Sequence, residues 1–198
     1  VEIHHGDGSD WNTAHCIDAK TGVQCAVLDM QVEEVEFTRQ MYCLGIYYKW
    51  AMLAPETNFS TYPINKFIEW DYPNIYQREK RDASTNELLE KKLGYSTNKA
   101  TRPNLITGLV EVTEEHIETI NDIPTLKEML VFIRNPDKNG RQEAMVGEHD
   151  DHIFGLGIAW DVKDQVTFEQ DIVITNKYDE FDLEDEWDND GYDTEGLW

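Results

Sequence analysis

Apolar residues change their spacing several times along the chain, and each change marks an element. Asn12 to Ala19 and Val23 to Asp29 are apolar-rich and are divided by Lys20-Thr21-Gly22, a glycine-containing turn. Together they predict a β-hairpin. From Glu33 to Tyr48 the period lengthens, and Val35, Met41, Tyr42 and Ile46 fit the face of an amphipathic helix. Trp50-Ala51-Met52-Leu53-Ala54 follows as a short apolar run and predicts a buried strand. The order β-β-α-β predicts an α/β fold, a mixed sheet with helices on its faces.

Ser60 to Trp70 predicts a further helix interrupted early by Pro63, and Pro73-Asn74-Ile75-Tyr76-Gln77 a short strand after a turn. Arg78 to Asn98 is polar with little periodicity and reads as a long connection. Thr101-Arg102-Pro103 opens a helix with proline near its start, and Pro124 to Leu130 opens another. Asn135 to Arg141 is a turn, with Asp137-Lys138-Asn139-Gly140 as its tight part. Ile153-Phe154-Gly155-Leu156-Gly157-Ile158-Ala159-Trp160 is apolar throughout and predicts a buried helix.

The 198 residues suit one domain of ordinary size. Without a long apolar run or a basic-then-apolar leader, the chain is expected to be soluble and intracellular. Cys16, Cys25 and Cys43 lack CxxC spacing and read as reduced core thiols. The net charge of −23 argues against wrapping DNA by bulk electrostatics. Much of it is local: residues 179–198 carry ten acids and no Lys or Arg, and read as a disordered tail behind a folded region spanning 1–178.

Candidate chemistry gathers at two places. Glu148-His149-Asp150-Asp151-His152 sets adjacent carboxylates and imidazoles immediately before the buried helix. On the simplest reading Asp150 is an N-cap and Asp151 a solvated first-turn residue. On the other, the two repel unless a cation lies between them and a third acid. Glu56 supplies such an acid, at the end of the Trp50 strand and before a polar turn, where open α/β sheets place their chemistry. Carboxylates gathered in this way suit Mg²⁺ or Mn²⁺. The six histidines form no zinc framework, and no GxxxxGK[ST] loop is present.

These residues carry a resemblance. Gly6-Asp7-Gly8-Ser9-Asp10-Trp11-Asn12-Thr13-Ala14-His15-Cys16-Ile17-Asp18, Leu53-Ala54-Pro55-Glu56-Thr57-Asn58, Tyr72-Pro73-Asn74-Ile75-Tyr76, Ser96-Thr97-Asn98-Lys99-Ala100-Thr101-Arg102-Pro103 and Gly147-Glu148-His149-Asp150-Asp151 occur in this order. In order and spacing the chain resembles, over about residues 2 to 162, the nuclease domain of the large terminase subunit of tailed phages. The resemblance implies an RNase H-like fold and a two-metal Mg²⁺ or Mn²⁺ site that cuts concatemeric double-stranded DNA during packaging. It implies Glu56 as the strand-end acid and Asp151, with Asp150, as the acids of the final helix. Lys99 and Arg102 would lie near the phosphate backbone. The family's first strand ends in an aspartate; Glu2 stands in that place here, with Asp7 and Asp10 as substitutes, Asp10 the better placed. Most of that strand would precede Val1, so the chain reads either as a piece of a longer protein or as a domain with an incomplete central strand, whose activity is then in doubt.

The implied partners are double-stranded DNA, the portal or prohead and the small terminase subunit, in the cytoplasm of an infected host cell, with no membrane. Two alternatives remain: another RNase H-like nuclease, such as a resolvase or recombinase, and a non-catalytic assembly module that docks through the acidic tail.

Overall fold

The structure is a computed structural model of the chain and describes residues 11–81, 85, 88–136 and 140–166. Glu2, Asp7, Asp10, the tight part of the 135–141 turn and the tail from 179 lie outside the described residues. The expected hairpin is present: β1 (Asn12–Ile17) pairs antiparallel with β2 (Gln24–Met30), Thr13 opposite Asp29. Its turn is closed by Asp18, whose Oδ1 accepts from the Lys20 and Thr21 amides at 3.0 and 2.8 Å, while Gly22 takes φ 72°.

Helix α1 (Glu34–Tyr47) follows as expected, and of its expected face Met41 is buried and Tyr42 packs on the core. Phe37, Met41 and Gly45, spaced four apart, form the buried stripe, whereas Val35 and Ile46 turn outward at 53% and 39% exposure. The chain then reverses through Lys49 and Trp50, both left-handed with φ 56° and 61°. Two side-chain-bearing residues in that region cannot open an extended strand. The Trp50–Ala54 strand expected from the sequence is therefore reduced to one isolated parallel bridge, Leu53 to Ile75, with a second, Glu56 to Tyr95, just beyond it.

Helix α2 (Tyr62–Glu69) carries Pro63 in its first turn, where a missing amide costs no helical hydrogen bond, so the proline starts the helix instead of interrupting it. Phe67 and Tyr72 pack with Phe37 and Met41 in one core cluster, lined by Tyr42, Trp50 and Trp70. The polar stretch read as a connection is a second hairpin, β3 (Gln77–Arg81) with β4 (Leu88–Leu93).

Helix α3 (Arg102–Glu115), helix α4 (Ile123–Val131), a third hairpin of β5 (Phe132–Asn135) and β6 (Arg141–Ala144), and helix α5 (Asp151–Val162) complete the described chain. It is a mixed α/β chain. Among the described residues its strands form three separate two-stranded antiparallel sheets instead of one mixed sheet. Helix α5 is buried on nearly every side because two glycines let neighbours approach. A Cβ on Gly155 would meet His15 Cδ2 at 2.9 Å and Thr13 Oγ1 at 3.0 Å, and one on Gly157 would meet Leu105 Cδ2 at 2.5 Å. No described helix is long and apolar enough to cross a membrane. The cysteines are free but not all internal: Cys25 and Cys43 are exposed, and only Cys16 is partly buried, its thiol pushed up to about 11 by burial.

Candidate functional site

The register of the first hairpin and the start of α5 together build a cluster of ionisable side chains. Thr13 on β1 donates through Oγ1 to the Asp151 carbonyl at 2.9 Å, seating the first turn of α5 on the sheet. Asp29, opposite Thr13 on β2, is thereby brought to His152, with its Oδ1 3.5 Å from Nε2. On the other side of that imidazole, Asp122 Oδ2 lies 3.7 Å from Nδ1. Asp122 is itself fixed as the N-cap of α4, accepting from the Thr125 amide at 2.8 Å and hydroxyl at 2.7 Å.

Asp150 occupies the N-cap position of α5 but makes no side-chain capping bond there; its Oδ2 instead accepts from the Ala144 amide at 3.4 Å. The cap comes from another helix. Glu128 on α4 accepts from the His152 and Ile153 amides at 2.9 and 3.2 Å, satisfying two donors that the first turn of α5 leaves open. Burial drives the Glu128 carboxyl up to about 7, and Asp151 and Asp150 add to the rise while the two amides oppose it. Asp29 is also raised, first by burial and further by Asp122 and Asp151, with His152 pulling the other way.

Behind His152 lies His15, with ring centroids 5.8 Å apart and planes at 85°. Gln24 fixes its tautomer. The Gln24 Oε1 accepts from the Asn121 and Asp122 amides, so its Nε2 donates to His15 Nδ1 at 2.9 Å and the ring proton resides on Nε2. Burial, then the nearby His152, holds His15 down to about 3, so it stays neutral.

Asp151 is 6% exposed and Glu56 5% exposed, so neither is a solvated surface acid. For Asp151 this overturns the simplest reading of the sequence. The two acids are anchored at different places. Glu56 is bridged to Tyr95, and the Tyr95 hydroxyl donates to Asp161 at 2.7 Å in the last turn of α5. Asp151 opens the same helix, ten residues and so roughly 15 Å of helical rise earlier. His149 is exposed, its Nδ1 3.8 Å from Asp151 Oδ2. Among the described residues no group of three or more His, Cys, Asp or Glu side chains is disposed to hold a metal ion.

The two expected phosphate contacts differ. Lys99 is exposed in the turn before α3. Arg102 is turned inward, donating through Nη2 to the Gln142 carbonyl at 2.7 Å with its guanidinium 4.5 Å from the centre of the Phe154 ring. A cation that no sequence motif singles out contacts Thr57, the residue after Glu56. Arg78 on β3 donates through Nη2 to Thr57 Oγ1 at 3.3 Å, and its buried Nε has no hydrogen-bond partner. Compared with known protein families and with curated proteins, the chain matches none.

Proposed function

We propose that this chain is a divalent-metal-dependent DNA endonuclease domain, with the RNase H-like arrangement of acids that its resemblance to the large terminase subunit implies. The observation that carries this reading is the gathering of five carboxylates, Asp29, Asp122, Glu128, Asp150 and Asp151, about the first turn of a buried helix. So much negative charge with Asp151 buried is a liability for folding alone and suits a hard cation. The donor type suits such an ion, being oxygen-rich and without thiolates, although no three of the described carboxylates converge on one point. In this reading Asp151, with Asp150, and Glu56 would hold the metal, with Glu2 or Asp10 and a substrate oxygen filling the remaining positions; because Glu56 is tied through Tyr95 to the far end of α5, binding would require it and the first turn of α5 to be drawn together.

Mg²⁺ or Mn²⁺ bound there would supply an activated water and charge neutralisation for phosphodiester hydrolysis. The chain's own residues supply rigidity. Glu128 and Thr13 fix the first turn of α5, where the His152 ring lies between Asp29 and Asp122. Double-stranded DNA is the proposed substrate, and the portal or prohead and the small terminase subunit are the proposed partners, in the infected host's cytoplasm.

A second reading, an assembly module, draws on a different observation. A groove of about 320 Å³ between α3, α4 and the β5–β6 hairpin is lined by Leu109, Val110, Met129 and Phe132. Nearby segments expose Leu130 at 84% and Val146 at 100%, an apolar surface of the kind that marks a protein partner. Nicking of supercoiled plasmid separates the readings. The nuclease nicks with Mg²⁺ or Mn²⁺ and not with Ca²⁺, whose looser coordination activates water poorly; an assembly module nicks with none of them.

A further inference from the structure

We propose that Arg78 and Lys92, on one face of the β3–β4 ribbon, form a subsite for a DNA phosphate flanking the one that is cut; this rests on the nuclease reading above. Three observations point to an anion there. Arg78 and Lys92 are direct cross-strand partners in the register, so two cations share one face, an arrangement that is unfavourable by itself. Lys92 reaches Glu90 Oε1 at 3.1 Å, which leaves Arg78 without a carboxylate of its own among the described residues. The Arg78 guanidinium has five donors, yet its single hydrogen bond among the described residues is the 3.3 Å contact to Thr57, and its Nε is buried without a partner.

Placement makes the ligand a flanking phosphate. Thr57 follows Glu56 directly and is locked by its hydroxyl donating to the Tyr95 carbonyl at 2.9 Å, so Arg78 is held one residue from the candidate metal ligand. Arg78 is joined to Thr57 and not to Glu56 itself, so the phosphate it takes is a neighbour of the one that is cut. The guanidinium fork and an ammonium beside it match phosphate oxygens. Gln77 to Leu93 holds five cations and four acids in a chain of net charge −23, so the ribbon is locally positive where the rest repels nucleic acid.

The test keeps metal out. Binding of the full-length chain to a short fluorescein-labelled DNA duplex in EDTA is followed by anisotropy at several salt concentrations, for wild type, Arg78→Gln, Lys92→Gln and, as a control, Lys127→Gln. Each lost phosphate contact lowers the slope of log affinity against log salt by about 0.9. That decrease is expected for Arg78→Gln and for Lys92→Gln, with no change for Lys127→Gln. The Arg78 Nε–H resonance, identified by its loss in Arg78→Lys, should shift saturably with the duplex, and in the same direction with inorganic phosphate. Unchanged slopes in both variants, an Arg78 resonance that stays fixed at saturation, or no binding by wild type overturns the subsite. Plasmid nicking by wild type in Mg²⁺ or Mn²⁺, measured in parallel, reports separately on the nuclease reading: no nicking with altered slopes removes that reading and leaves a phosphate-binding ribbon standing.

Discussion

Glu128 shows how one side chain links stability to the site. Its carboxyl is raised from the ordinary value to about 7, chiefly by burial, so the folded state favours the protonated form. A group raised on folding contributes stability that is fully present below its unfolded pKa and is lost as pH rises through the folded one. The metal-free protein should therefore lose stability between about pH 4.5 and 7 through this group, by roughly 1 kcal/mol once partial exposure and screening are allowed for. Glu128→Gln keeps an oxygen for the His152 and Ile153 amides but cannot ionise. Denaturant melts across this range should show a flatter pH profile for the variant and greater stability than wild type at pH 8; parallel profiles would show that another group is responsible. Arg102 illustrates the limit of reading single residues from sequence. Its charge is visible there, but its burial against Phe154 depends on where α5 packs.

Helices with clear punctuation are legible in the sequence alone. Pro103 and Pro124 fall in the first turns of α3 and α4, and the apolar run after Asp151 is α5. The first hairpin is equally plain because apolar strands flank a glycine turn. The second hairpin is hidden: β3 and β4 carry charged residues on both faces, so no alternation of apolar and polar positions marks their period. The expected Trp50 strand fails for a backbone reason, the consecutive left-handed Lys49 and Trp50, which composition does not reveal. The candidate site is half legible. Asp150, Asp151 and Glu56 stand out as acids at element ends, whereas Asp29, Asp122 and Glu128 join them only through the register of β1 with β2 and the packing of α4. The close seating of α5 gives a test at this scale. Gly155→Ala gains about 1 kcal/mol of helix propensity but pushes a methyl into His15 and Thr13, a conflict of about 1–3 kcal/mol. A net loss of about 1 kcal/mol in chemical denaturation is expected, and a stabilised variant would mean that α5 does not sit tightly on β1.

For the molecule as a whole, one acid-rich helix start underlies both the proposed metal requirement and the strain of the metal-free state. Without metal, Asp151→Asn should melt higher than wild type, by of order 1 kcal/mol, because it relieves repulsion among Asp29, Glu128 and Asp150. Mn²⁺ should raise the melting temperature of wild type, since it binds only the folded state, and should do so far less in the variant. A variant that melts lower in EDTA and keeps the full Mn²⁺ shift would place the ion elsewhere. The central claim is catalytic, and it is tested most directly by initial rates of supercoiled plasmid nicking in Mn²⁺ for wild type, Asp151→Asn and Glu56→Gln, each shown by circular dichroism to be folded. Removing a metal ligand should cost at least about a hundredfold, the upper end of what outer-shell changes cost. Nicking by wild type and its loss in both folded variants is the expected result; nicking at the wild-type rate by either variant would contradict the claim.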